Sequence, residues 1–374
     1  MTALPAAQHA WEDTFLHDEE GRPLAPRFHR LLLLDLTGGA PTVADAAHLE
    51  SALRTLESEL PHGPEGLLTC LGWGPGYFEA YTGVRSPVNR PVPMARWENP
   101  RLESYDACLH LAADDEATLA EVTGRLFGDG PLDQRDRLRL TEVRTGFVGR
   151  GLPAARRPGS GIPDRAPLML GFHSGLRGNQ APEERISVAS GPLRGGTTMH
   201  VSYIELDVDS WYEQDADTRS ALMYSPRVGA DEAEKLVDDA TSDADSLPRV
   251  AADHGRVGHA QATGRARLAG VPRINRRDFA TLDHGVPGTH FVSLQRTMED
   301  FNATRATMNA ADAPTHDGRI GVRRRNGINA FMEVRSRATF AVPVLDDLAE
   351  VHAAQRDAQR EGAVLRAVDG EDGD

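Results

Sequence analysis

The side chains best suited to chemistry in this sequence lie in its second half. Gly258-His259-Ala260 offers an imidazole, which binds metal when neutral and carries a proton near neutral pH. Seventeen residues on from His259, Arg276 and Arg277 stand side by side in Pro272-Arg-Ile-Asn-Arg-Arg-Asp-Phe279. A guanidinium does not lose its proton, so it can stabilise negative charge that develops on a bound anion. On an extended segment Arg277 is expected to face away from Arg276. Upstream, Gly171-Phe-His-Ser-Gly175 sets His173 beside Ser174. His173 titrates in the range useful for acid–base work, whereas a serine hydroxyl does not ionise near neutral pH. Asp253, His254 and His259 also have metal-ligand chemistry, but a five-residue gap does not align two imidazoles on one helical face. The plain alternatives are that His259 is one ordinary histidine among 14, and that the arginine pair only meets carboxylates.

Positioning such groups takes a folded scaffold, and 374 residues with 40% hydrophobic content are enough for one large domain or two smaller ones. Arg30 to Leu36 reads as a buried strand, followed by a helix that Thr42 caps with Asp45 and that turns Leu49, Leu53, Leu56 and Leu60 to one side. Leu67 to Trp73 and Tyr105 to Ala112 are the next strands. Asp114 is expected to cap a helix carrying Leu119, Val122 and Leu126, and Leu138 to Phe147 is a further strand. This β-α-β-β-α-β order is the ferredoxin-like unit. A Gly, Pro and Arg-rich connector covers residues 150 to 167.

The pattern then repeats more weakly. Strands are expected at Thr197 to Val208, Val271 to Asn275, His290 to Leu294 and Ala330 to Val342, with a helix at Met298 to Met308. A long insertion spans Asp207 to Gly270, with a helical stretch at Asp231 to Ala240. The expected fold class is therefore α+β, with two ferredoxin-like domains at 27–150 and 166–345. An amphipathic helix and acidic tail are expected at 346–374.

Several classes of function fall away. A formal net charge of −15 disfavours a nucleic-acid partner, because phosphate binding needs a basic surface. Cys70 and Cys108, 38 apart, form no zinc or disulfide pattern and read as buried thiols. No apolar run approaches the roughly 20 residues of a membrane span. The N-terminus lacks a basic patch leading into an apolar stretch, so the expectation is a cytoplasmic chain unless a leader has been removed.

The chemical segments, taken in order, resemble the dye-decolorising (DyP-type) peroxidases, a haem family of two ferredoxin-like domains. Gly171-Phe-His-Ser-Gly175 resembles the family's Gly-Phe-x-Asp-Gly motif, and Gly195-Gly196-Thr197 its Gly-Gly strand. His259 falls where the family has its proximal ligand. The segment ending at Phe279 and the strand Gly288-Thr-His-Phe-Val-Ser-Leu-Gln295 are similar to the family's segments on the C-terminal side of that ligand. In the first half, Leu71-Gly-Trp-Gly-Pro-Gly-Tyr-Phe78 and Tyr105-Asp-Ala-Cys-Leu-His-Leu-Ala-Ala-Asp-Asp115 are similar to family stretches, so the resemblance covers about residues 28 to 345.

The resemblance implies haem b held by His259, with Arg276 as charge stabiliser, Arg277 near the propionates, and Thr289 and Phe291 forming the pocket above the iron. It implies hydrogen peroxide and a reducing substrate as partners, and leaves a homo-oligomer open. The departure is Ser174, which stands where the family has an acid–base aspartate; losing such a group costs typically 10² to 10⁴ in rate. His173 is the substitute base on offer. The expectation is a divergent peroxidase of weakened activity. Two alternatives accompany it: a haem-binding or haem-handling protein without efficient peroxide turnover, and a haem-free chain that keeps only the fold.

Overall fold

The computed structural model describes residues 7–82, 85–173, 177–191, 193–236 and 243–345. Its frame is a closed, antiparallel ring of strands built from both halves. The first half supplies β1 (Phe28–Leu36), α1 (Val43–Glu59), β2 (Leu68–Trp73), β3 (Ala107–Ala113), α2 (Glu116–Leu126) and β4 (Leu138–Phe147). The second half supplies β5 (Thr197–Leu206), a helical insertion, β6 (Asn275–Arg276), β7 (Phe279–Thr281), β8 (Gly288–Gln295), α6 (Met298–Asn309) and β9 (Met332–Val342). The insertion includes α3 (Ala216–Met223), α4 (Leu247–His254) and α5 (His259–Gly264).

Around the ring the order is β7-β4-β1-β3-β2-β9-β5-β8, and β8 pairs back onto β7. Each half contributes the ferredoxin-like order, and the halves meet at two narrow seams, Trp73 opposite Ala341 and Phe147 opposite Ala280. The mixed α+β class and the two β-α-β-β-α-β halves are as expected from sequence.

A strand in such a ring is buried on both faces, which explains the unbroken leucine run of β1. Leu31 and Leu33 join the cluster inside the ring, while Leu32 and Leu34 pack outward under the helices with Leu49, Leu53 and Leu56. Thr42 caps α1 as expected: its hydroxyl accepts from Asp45 N at 3.2 Å, and the Asp45 carboxylate accepts from Thr42 N at 2.6 Å.

Three local expectations need correction. α2 is capped by Asp115, which accepts from Ala117 N at 3.1 Å, because β3 runs on to Ala113 and shifts the turn by one residue. Asp114 instead accepts from Arg27 N at 3.0 Å. The expected strand at Val271 to Asn275 pairs mainly one step later, as β6 and β7. Of the expected helix at Asp231 to Ala240, only Ala230–Ala233 is helical among the described residues. Residues 346–374, expected as a helix and tail, lie outside the described residues. Cys70 and Cys108 are free and buried, and among the described residues no helix is long and apolar enough to cross a membrane.

Candidate functional site

The outer face of the second-half sheet does not meet its helices directly. Between them lies a cavity of about 200 Å³ that opens to solvent. One wall is sheet: Ile204 and Leu206 of β5, Thr289 and Phe291 of β8, and the line Ile274, Arg276, Asp278, Ala280. The facing wall is helical, with His259, Ala260 and Thr263 from α5 and Thr304 and Met308 from α6. His259 and Arg276, chosen from sequence as the chemical pair, thus line one space.

His259 is the first residue of α5, and its place is fixed by two glycines. A Cβ on Gly258 would stand 2.0 Å from the Tyr224 carbonyl oxygen, which is also the acceptor for Gln261 N at 2.9 Å. Only glycine lets the chain approach so closely. Gly327, at φ +54°, lies against His259, where a Cβ would come within 3.1 Å of its Cα. The Gly327 N–H is tied to Val257 O at 2.9 Å.

Burial, aided by the positive charges of Arg276 and Arg305, holds the His259 imidazole down at about 3. It is therefore neutral at ordinary pH, the form that ligates a metal. Its Nδ1 is buried and has no hydrogen-bond partner among the described residues. The grouping with Asp253 and His254 is not assembled: both are exposed, and the described residues contain no cluster of three or more metal-ligating side chains.

Arg276 enters the cavity from β6, its backbone clamped on both sides by Gln180, which accepts from Arg276 N at 2.9 Å and donates to Arg276 O at 3.0 Å. Arg277 corrects the expectation of a cofactor contact, because strand alternation turns it away. It is buried among the N-terminal segment, donating to His9 O at 2.5 Å and Glu183 Oε1 at 3.0 Å, with its guanidinium 3.9 Å above the Trp11 ring. Thr289 and Phe291 line the cavity as expected, and the Thr289 hydroxyl donates to Phe279 O at 2.9 Å. His290 points to the other side of β8 and contacts Asp283 Oδ2 at 2.8 Å, a structural pairing.

His173 also reaches the cavity. Burial and the nearby Arg22 charge lower it to about 4, and Arg22 Nη1 lies 3.4 Å from its Nε2. Ser174 lies outside the described residues.

Sequence reasoning missed three charged residues of the cavity wall. Arg267 and Arg273 add positive charge there; Arg267 donates to Gly178 O at 2.7 Å, and Arg273 pairs with Asp300 at 3.1 Å. Asp278 is the one carboxylate among the described lining residues. Its signal was period two: it stands two residues beyond Arg276 on the same face.

The profile of a family described as "Family of unknown function (DUF7405)" matches residues 26–344. No curated protein matches the sequence. Solved structures do. A DypB variant of Rhodococcus jostii in complex with heme aligns at 16% identity over 92% of this chain and 98% of that one, with a TM-score of 0.62. A DyP-type peroxidase from Cellulomonas bogoriensis aligns at 21% identity over 91% and 99%, with a TM-score of 0.61. The encapsulated DyP-type peroxidase from Mycobacterium smegmatis aligns at 17% over 90% and 98%, with a TM-score of 0.59. At these identities the likeness is one of fold, and the fold is that of the DyP-type peroxidases.

Proposed function

Since this chain belongs to the DUF7405 family, whose function is unknown, we propose its function from the cavity itself: it binds haem b and acts as a DyP-like peroxidase. It would reduce hydrogen peroxide at the expense of an organic donor. The observation that carries this reading is the meeting of a neutral, positioned imidazole and an arginine whose backbone is clamped across one cavity. The donor set fits the group. Ile204, Leu206, Phe291, Met308 and Met332 offer an apolar lining for a porphyrin, and Arg267, Arg273 and Arg276 offer positive charge for its two carboxylates.

When bound, haem supplies the redox-active iron. His259 would hold the iron through its neutral imidazole, and the close-packed Gly258 and Gly327 fix where that residue sits. Arg276, clamped by Gln180, stabilises negative charge that develops on peroxide oxygen as the O–O bond weakens. Apolar side chains around the pair limit water and so strengthen that interaction.

One observation favours the second reading, a haem-binding or haem-handling protein with little peroxide turnover. A ligating histidine usually donates its other N–H to an acceptor, which raises its basicity. Among the described residues the Nδ1 of His259 has no such acceptor, and the resemblance puts Ser174 where the family has an aspartate.

The test is an absorption spectrum of protein expressed with added haemin. Wild type is expected to show a Soret band and His259→Ala to lose it; colourless wild type, or an unchanged band in the variant, overturns haem binding through His259. Stopped-flow mixing with peroxide then separates the two readings. A rapid spectral change supports the peroxidase, and a sharp gain of turnover in Ser174→Asp marks a peroxidase pocket that lacks its base.

A further inference from the structure

Strand alternation runs unbroken through the interruption between β6 and β7. Ile274, Arg276, Asp278 and Ala280 face the cavity, while Asn275, Arg277 and Phe279 are buried on the other side. Arg276 lies opposite Ser293 and Phe279 opposite His290, so Asp278 falls at the level of Phe291, another lining residue. A carboxylate and an arginine with a clamped backbone thus share one wall two residues apart. That is the equipment needed to split a weak acid: an acceptor for its proton and a cation for its anion.

We infer that Asp278 is the proton acceptor of this cavity, receiving the proton of a weak acid H–X of the peroxide class while Arg276 holds X⁻. The step is H–X plus carboxylate giving X⁻ plus carboxylic acid, with no electron transferred. Among the described residues, the other titratable and charged groups lining the cavity are His173, Tyr224, His259, Arg267 and Arg273, and Tyr224 is a phenol that burial keeps neutral and that offers no base. The arginines carry no lone pair for a proton. His173 has its Nε2 beside Arg22 Nη1, and an imidazole nitrogen that accepts from a guanidinium is not open to a second proton. His259 is assigned to the iron. The inference rests on the proposed haem site for its probe, and it moves the acid–base role off the 171–175 segment onto the same strand as Arg276.

The probe is cyanide, added at neutral pH, where it is undissociated hydrogen cyanide, to the full haem-loaded chain in weak buffer with a pH indicator. Wild type is expected to bind it without releasing a proton, because Asp278 keeps it. Asp278→Asn is expected to release about one proton per cyanide and to bind at least ~10-fold more slowly. Asp278→Glu is expected to restore proton retention. Proton release by wild type, or wild-type behaviour of Asp278→Asn, overturns the inference. So does release by His173→Phe with retention in Asp278→Asn. Failure of the haem reading shows separately as wild type without a Soret band.

Discussion

The two halves share a strand order and differ in what lies between sheet and helices. In the first, Leu32, Leu34, Leu109 and Leu111 meet Leu49, Leu53 and Leu56 of α1 and Leu119, Val122 and Leu126 of α2, all buried in one cluster. In the second, the same face carries Arg276, Asp278, Thr289 and Phe291, and the helices stand off to leave the cavity. The topology therefore does not make the site. In the first half a crossover helix of 17 residues lies along the sheet; in the second the insertion brings up α5, only six residues long, which reaches the cavity with His259 at its first turn. The second half gives up apolar filling on that face and gains a place for a ligand.

Inside the ring the halves agree, and the largest effect is expected there. His29 and His110 from the first half, and His290 from the second, are buried and have pKa values lowered chiefly by burial; His29 is at about 3. Because the folded values lie below the ordinary 6.5, the unfolded chain binds more protons as pH falls from 6.5 toward the folded values. Stability is thus fully present above about 6.5 and is lost on acidification. Each such histidine contributes up to about 1.4 kcal/mol per pH unit, so three remove several kcal/mol between about pH 6.5 and 5. Urea midpoints measured across that window check it; a flat profile would mean that these side chains accept protons without unfolding.

The contrast between filled and open faces is sharpened by truncation. Leu53→Ala, in the filled half, is expected to cost about 2 to 5 kcal/mol, because the removed atoms leave a hole in a packed cluster. Met308→Ala, on the cavity wall, is expected to cost under about 1 kcal/mol in the haem-free chain, since its side chain already borders open space. Equal costs in denaturant unfolding would show that the second half closes up when nothing is bound. A smaller effect is expected at Gly327→Ala. Its positive φ costs about 1 to 2 kcal/mol for a residue with a Cβ, and that Cβ presses on His259. Gly39→Ala, with nothing within 4 Å, is the control and should leave both stability and haem affinity unchanged.

The same contrast decides what could be read from sequence. The first half has strong apolar periodicity because both its faces are filled, so its six elements stand close to where the pattern puts them. In the second half polar residues face the cavity, the strand at 275–281 breaks into two short pieces, and the pattern weakens. His259, Arg276, Thr289 and Phe291 were legible through the order of motifs. Asp278, Arg267 and Arg273 were not, because no motif singled them out and only the alternation of an interrupted strand brings Asp278 to the wall. Arg277 was read as a cofactor contact from its neighbour's role, although its own face of the strand belongs to the N-terminal segment.

A modest effect is expected at the cap of α1, and it isolates the first half from the site. Thr42 and Asp45 satisfy each other's backbone N–H groups, and the Asp45 carboxylate also meets Arg137 at 3.0 Å. Thr42→Ala removes the side-chain acceptor for Asp45 N but leaves the Asp45–Arg137 contact, so a loss of about 1 kcal/mol is expected from an exposed cap of this kind. Differential scanning calorimetry reads that loss as a lowered Tm. If the filled half serves only as a frame, the same variant should take up haemin with wild-type affinity. A reduced affinity would show that the packing under α1 reaches across the seams at Trp73 and Phe147 to the cavity wall.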